Sequence, residues 1–290
     1  MEQVTYFNEI SLMMFGFGDS HKPNTDTVKL VESITLNQLR LIIHEAVKYQ
    51  EGNSLGGEEL VFLMRKNKYK MRRFIKYLYN KDAKHRLSKG LVDMSGTSTK
   101  NTLIEFVEKI DETGELTDLT EYDEVKNERM IRADRISLFL DEETYLKFSQ
   151  ARCTSFRNKN MSSARDYEKL KQWVDPRNEL NFSNLALDVL SYYAYETVAQ
   201  LTDYALLVRL DHNRKGDPLS NLQGTYFSAT MFNGEHRLTK ENIDYSKVGS
   251  CQQPITVNEI KEVMRRICSP QAGKLNFGKK YVESHQIIAI

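Results

Sequence analysis

Apolar positions near the start of the chain recur at steps of three and four. Phe7, Ile10, Met13, Met14 and Phe17 predict a short amphipathic helix, broken by the polar stretch Gly18 to Pro23. A long helix is predicted next, from about Asp26 to Gln50, with Val28, Val31, Ile34, Leu39, Ile42, Ile43 and Ala46 along one stripe. Gly52 to Gly57 end it. A third helical segment starts near Glu58, carrying Leu60, Leu63 and Met64 and then Phe74, Ile75 and Leu78. From Lys81 to Thr102 the sequence turns polar, punctuated by Ser, Thr and Gly, and reads as a linker. Helical periodicity returns weakly from Asp123 to Leu140 and from Asp141 to Ala151.

The last part of the chain repeats the opening plan. A short segment ends at Trp173, and Asp175-Pro176 breaks it. The strongest period in the chain follows, from about Asn184 to Asp211, through Leu187, Leu190, Ala194, Thr197 or Val198, Leu201, Ala205 and Val208. A polar insert runs from Asn213 to Gln253. Thr256 and Glu259 then form a capping box, in which hydroxyl and carboxylate each satisfy an orphan N–H at a helix start. That helix continues through Ile260, Val263, Met264 and Ile267 and stops by Pro270.

Short helix, break, long helix, break, short helix thus occurs twice. The third helices also align by residue: Glu59, Leu60, Leu63, Met64 and Arg65 against Glu259, Ile260, Val263, Met264 and Arg265. A long helix flanked by two short ones cannot cover its own apolar stripe, whereas two such units crossing at their long helices bury both. Three-helix units that pair in this way are histone folds. The expected fold is therefore all-α, with two histone folds in one chain forming an intramolecular pair, the tether raising their effective concentration. The expected division is an N-terminal fold over 1–85, a polar and acidic linker with short helices over 86–160, and a C-terminal fold over 161–290 that carries the insert 213–253.

Composition narrows the function. The chain is 28% charged with a net charge of +1, so it is not a polycation that coats nucleic acid. Its three cysteines, without a CxxC pair, point to a reducing compartment rather than a disulfide framework. No apolar run reaches membrane-spanning length, and the start shows no secretory signal. Phosphate-loop, GxSxG and HExxH patterns are absent, and the six histidines are scattered. Neither an enzyme nor a cofactor, metal or small-molecule substrate is expected.

Two groups of charged residues remain as candidates. Arg65, Lys66, Lys68, Lys70, Arg72, Arg73 and Lys76 open a basic run that continues to Arg86 and faces only Asp82. It reads as a phosphate-contacting patch, an import signal or a solvated face, or as a run masked by the ten acids between Glu105 and Glu128. On the second long helix, Tyr192, Glu196, Gln200 and Asp203 share one flank. Two carboxylates there suit a basic partner, or an internal bond to an arginine such as Arg209. Tyr192, Tyr193, Tyr195 and Tyr204 fall at helical spacing and read as packing, Trp173 as an anchor of its short helix, and Phe156 as the pin of the CTSFRNK loop.

The blocks EISLMMFGFGD, EELVFLMRKNKYKMRRFIKYL, DETGEL, EYDEVKNERM, CTSFRNK (Cys153 to Lys159) and YETVAQLTDYALLVR (Tyr195 to Arg209) resemble the SPT-three subunit family of the SAGA transcription coactivator, over nearly the whole chain. Each half also resembles one of a pair of small histone-fold TBP-associated factors of TFIID. The chain departs from the pattern at Gly52 to Gly57, where a short basic extended segment and a Pro-Glu-Asp cap are expected. The resemblance implies a non-enzymatic nuclear subunit that binds TATA-binding protein (TBP) and helps bring it to promoters, in company with other histone-fold and scaffold subunits of a SAGA-type complex. Under it, Tyr192, Glu196, Gln200 and Asp203 are the TBP-binding candidates, and Glu196→Lys is expected to weaken TBP binding with the fold intact. The rival is a histone-like protein that contacts DNA, at least weakly, through residues 65–86.

Overall fold

A computed structural model describes residues 4–50, 52–88, 101–157, 167–213, 253–268 and 287–290. Almost all of the polar insert 213–253, and residues 89–100 of the predicted linker, lie outside this set. Among the described residues there are ten helices and no strand: α1 (Phe7–Phe17), α2 (Thr25–Val47), α3 (Gly57–Met64), α4 (Lys68–Ser88), α5 (Thr102–Ile110), α6 (Glu124–Ser137), α7 (Glu142–Arg152), α8 (Glu168–Val174), α9 (Asn184–Asn213) and α10 (Val257–Cys268).

The two long helices, of 23 and 30 residues, pack against each other, and the short helices of each half reach across to the long helix of the other. α1 and α3 lie on α9, while α8 and α10 lie on α2. Neither half could bury its stripe alone. Val28, Val31, Leu39, Ile42 and Ala46 of α2 are sealed in one core with Leu190, Ala194, Val198, Leu201 and Ala205 of α9. The predicted stripe of α9 is buried throughout, but so are Tyr193, Thr202 and other positions around it, because α9 is covered on several sides.

The turns that bracket the long helices start and stop them by local chemistry. Gly18, at φ +111°, closes α1: its N–H reaches the Phe15 carbonyl and that of Asp19 reaches Met14. The Asn24 side chain caps α2 through the N–H groups of Asp26 and Thr27. The Thr256–Glu259 capping box forms as predicted, with Thr256 N–H donating to Glu259 Oε2 at 2.6 Å and Glu259 N–H to Thr256 Oγ1 at 3.3 Å.

Both ends of the pair are joined loop to loop. The Gly52 to Gly57 loop, despite its departure from the family pattern, sends Leu55 into a parallel bridge with Phe182: Leu55 N–H donates to Asn181 O at 2.8 Å and Ser183 N–H to Leu55 O at 3.0 Å. At the other end Ile255, placed before Ile260 as Leu55 is before Leu60, donates its N–H to the Asp19 carboxylate at 2.8 Å and accepts from the Thr27 hydroxyl at 2.8 Å. The equivalence holds best at these loops and at Leu60 and Ile260, both fully buried. Beyond them the third helices differ, the first burying Val61 and Met64 and the second Val263.

Asp19 gives this second junction a pH dependence. Burial pushes its carboxyl up to about 6, only partly opposed by the N–H groups of Ile255 and Ser20. An acid whose folded pKa is raised adds stability that is full below its ordinary value and lost as pH rises through 6. The whole shift corresponds to about 3 kcal/mol, lost between about pH 3 and 7. Asp19→Asn keeps an oxygen for both N–H groups and removes the charge. It is expected to raise stability at pH 7 by about 1–2 kcal/mol, less than the full shift because the amide NH2 stands where the buried Oδ2 has no partner. Urea unfolding of both proteins at pH 4.5 and pH 7 measures it; equal pH slopes for the two would show that Asp19 contributes nothing.

Three predicted boundaries change. The third segment is not one helix: it breaks at Arg65 to Asn67 into α3 and α4, since Arg65 caps α3 on Phe62 and Asn67 accepts the first N–H groups of the next. Helix α4 runs on to Ser88, through part of the predicted linker, because its cations meet acids from elsewhere in the chain. The stretch 101–157 is folded onto the pair. α5 lies on α3; α6 and α7 clasp α1 around Phe15, Ala133, Ile136, Phe148 and Ala151. Gly16 permits the clasp, since a Cβ there would meet the backbone of Ala151 and Arg152 at 3.1 Å. Phe156 and Trp173 take their predicted places, stacked at 5.8 Å with Tyr6 against both.

Candidate partner-binding surface

Tyr192, Glu196, Gln200 and Asp203 do fall on one side of α9, as their spacing requires. All four are buried. The expectation of an open docking flank is therefore corrected: within this chain, α4 and α6 lie over it.

Aromatic packing covers one end. Tyr192 meets the rings of Phe74 and Tyr77, each at 4.9 Å between centroids. Next to it, Arg73 of α4 grips Asp123 with two bonds at 2.7 and 2.8 Å and reaches Glu196 at 3.3 Å. Arg129 of α6 joins both carboxylates of the flank, Glu196 at 3.1 Å and Asp203 at 2.7 Å, and Arg132 adds a second cation on Asp203. Burial pushes the Asp203 carboxyl up, but Arg129 and Arg132 outweigh it and hold it below its ordinary range. Desolvation likewise opposes the charge on Arg129, and Asp203 and Glu196 reverse that and hold its guanidinium above its ordinary value. The same guanidinium lies 5.7 Å from the ring of Phe17, which packs edge-on to Tyr195. Tyr195 and Tyr204 are half-buried, in keeping with packing roles.

The arginine that answers Glu196 is not Arg209. That residue holds Glu259 at 2.7 and 3.0 Å and the carbonyls of Gln253 and Pro254, fixing α10 to the end of α9. Arg129, Arg132 and Asp123 escaped the sequence reading. Their signal was present: arginines three apart in NERMIRADRI lie on one helix face, as Glu196 and Asp203 do on theirs. The consequence for Glu196→Lys is also corrected. A lysine there would face Arg73 and Arg129 in a buried site, so that change disturbs the fold itself.

The basic run is largely occupied, as the masked reading had it. Lys68 pairs with Glu115, Arg72 with Glu121, and Arg73 with Asp123. Arg72 also donates to the Glu115 carbonyl at 2.6 Å and Lys76 to that of Glu121 at 3.1 Å. Arg65 lies 3.7 Å over the Phe62 ring and donates to the Phe62 carbonyl. Lys70 is turned inward; burial lowers its ammonium to about 8, against the pull of Glu196. Lys66 stays exposed. A phosphate-binding face built on all seven is thus corrected, since most of these cations already hold protein oxygens.

Residues 4–93 match the family model described as the transcription initiation factor IID 18 kD subunit. The SAGA complex subunit Spt3 of Drosophila melanogaster is 32% identical over 279 residues, which cover 94% of this chain and 70% of that protein. The chain belongs to the Spt3 family. The Schizosaccharomyces pombe SAGA complex subunit Spt3 is 25% identical over 91% of this chain and 90% of its own length. Human transcription initiation factor TFIID subunit 13 is 31% identical over 68 residues, 23% of this chain and 55% of that protein. Membership in the Spt3 family makes the chain a histone-fold component of the transcription machinery, a coactivator subunit. It also accounts for the two-half architecture: the 18 kD subunit model matches only the first half, while the Spt3 relatives run through both.

Proposed function

We propose that this chain is a non-enzymatic nuclear scaffold that assembles with other SAGA subunits, binds TBP and helps bring it to promoters. One observation carries this reading: the histone-fold pair is completed within the chain, with both loop junctions closed, so the pairing surfaces need no outside histone-fold partner. What remains to recruit partners is the outer surface. In this reading the division near residues 85 and 160 sets the two paired folds apart from a segment whose described part, 101–157, acts as a lid.

Glu196 and Asp203 then serve TBP binding by seating α6, while Tyr192 packs on α4 beside them and Gln200 lies buried on the same flank. The outward side of the lid presents Tyr122, Glu124, Glu128 and Met130 to solvent, with Lys126 among them, a mixed face with an acidic excess suited to a basic protein surface. DNA contact is left to scattered cations such as Lys66 and is secondary in this account.

The test is a pull-down of TBP by the full chain and by the triple variant Tyr122→Ala, Glu128→Lys, Met130→Ala, with circular dichroism to check that the fold is kept. Binding should fall at least tenfold, about 1.4 kcal/mol or more, for the variant. Undiminished binding by a folded variant would remove the lid from the TBP surface. Steeply salt-dependent binding to duplex DNA at physiological salt would revive the DNA-binding rival.

A further inference from the structure

Gln38 stands on the buried face of α2, beside Thr35 and Leu39. Its side-chain oxygen accepts the N–H of Ile288 at 2.8 Å. Lys70 of α4 donates from Nζ to the backbone oxygens of Ile288 at 2.6 Å and of Ile290 at 3.1 Å. Ile288 and Ala289 are buried, and Ile287 and Ile290 pack half-buried on the same core. Residues 287–290 belong to no helix or strand. Two polar side chains on two different helices, Gln38 buried and Lys70 half-buried, are thus aimed at the main chain of one short segment. Emptying the slot would leave both without these bonds, a cost that favours any occupant able to restore them.

We propose that the slot between α2 and α4 is a peptide-docking site for a short apolar segment outside helix and strand, and that residues 287–290 are its resident ligand in cis. Recognition falls on one backbone N–H, on the carbonyl oxygen of Ile288 and a terminal oxygen of Ile290, and on β-branched or small apolar side chains. A segment of the same chemistry from another polypeptide meets the same requirements. The resident belongs to the same chain, so a competitor has to bind well enough to exceed that intramolecular advantage. The slot adjoins the lid, since Lys70 feels the charges of Glu196, Arg73 and Arg129. Its occupant is thereby placed to influence how α4 and α6 sit on α9.

The experiment uses the full chain and a fluorescein-labelled synthetic peptide of sequence ESHQIIAI, residues 283–290. Ile288→Lys puts a charge in place of a buried side chain and near the Lys70 ammonium, which evicts the resident. The variant should keep its helical circular dichroism and cooperative unfolding. It should bind the peptide at least tenfold more tightly than the wild-type chain does. N-methylating the peptide at the residue equivalent to Ile288, which removes the N–H given to Gln38, should weaken that binding roughly tenfold. Equal binding to wild type and variant, no binding to the variant, or indifference to the methyl group would each overturn the proposal. So would loss of cooperative unfolding in Ile288→Lys, which would make the segment an ordinary part of the core.

Discussion

Arg129→Met is expected to destabilise the chain by about 3–5 kcal/mol, because it removes one partner from a buried ion network and leaves the others in place. Arg129 is 14% exposed, Glu196 8% and Asp203 5% by side chain, so solvent cannot take over the lost role. Asp203 retains Arg132, and Glu196 retains only the longer contact with Arg73. The loss should therefore fall chiefly on Glu196. Adding Glu196→Gln to Arg129→Met should recover part of the stability, since the uncompensated charge disappears with it. Chemical denaturation of the wild type, both single variants and the double variant gives the coupling between the two residues. A coupling near zero would mean that α6 is not seated by this pair.

Phe156→Ala should cost a similar about 3–5 kcal/mol, by a different route. Phe156 is fully buried, stacked on Trp173 and tilted against Tyr6, and the Tyr6 hydroxyl donates to the Phe156 carbonyl at 3.3 Å. One side chain thus ties the end of the lid to the segment before α1 and to α8. Cutting it to alanine leaves a cavity between rigid aromatic walls that cannot collapse. If thermal or urea unfolding shifted by less than about 1 kcal/mol, the loop would be an outer ornament rather than a pin.

The sequence made the paired folds readable and hid the lid, for physical reasons. Periodicity works where a helix buries an apolar stripe, as α2 and α9 do, and the Thr256–Glu259 box marks a helix start by chemistry confined to four neighbouring residues. Helix α6 buries arginines instead. Arg129 and Arg132 face α9, so its inward side reads as polar and its period looks weak. Helix α4 reaches Ser88 through a stretch that composition marks as a linker, where Lys81 pairs with Asp188 of α9; nearer its start Lys68, Arg72 and Arg73 find Glu115, Glu121 and Asp123 more than forty residues further on. That pairing was one of several readings open for the basic run, and no local pattern could select it. Glu196 shows the same limit: spacing placed it on the right flank with the right neighbours, and only the fold shows that the flank faces inward.

The role of Gln38 illustrates a further blind spot. A glutamine on the buried side of a long helix carries no sequence signal of its own, and its partner at Ile288 is 250 residues away. Lys70 belongs to the basic run by sequence, yet its ammonium is turned to the main chain of residues 288 and 290.

Everything else in the molecule is built on two histone folds that pair within one chain. The parallel bridge between Leu55 and Phe182 allows a direct test, since cysteines placed on bridged residues fall within disulfide range. In a chain with Cys153, Cys251 and Cys268 replaced by serine, Leu55→Cys with Phe182→Cys should cross-link under mild oxidation. The product should migrate as a compact monomer on a non-reducing gel, and its yield should not depend on protein concentration. A concentration-dependent dimer band, or no cross-link, would contradict the intramolecular pair.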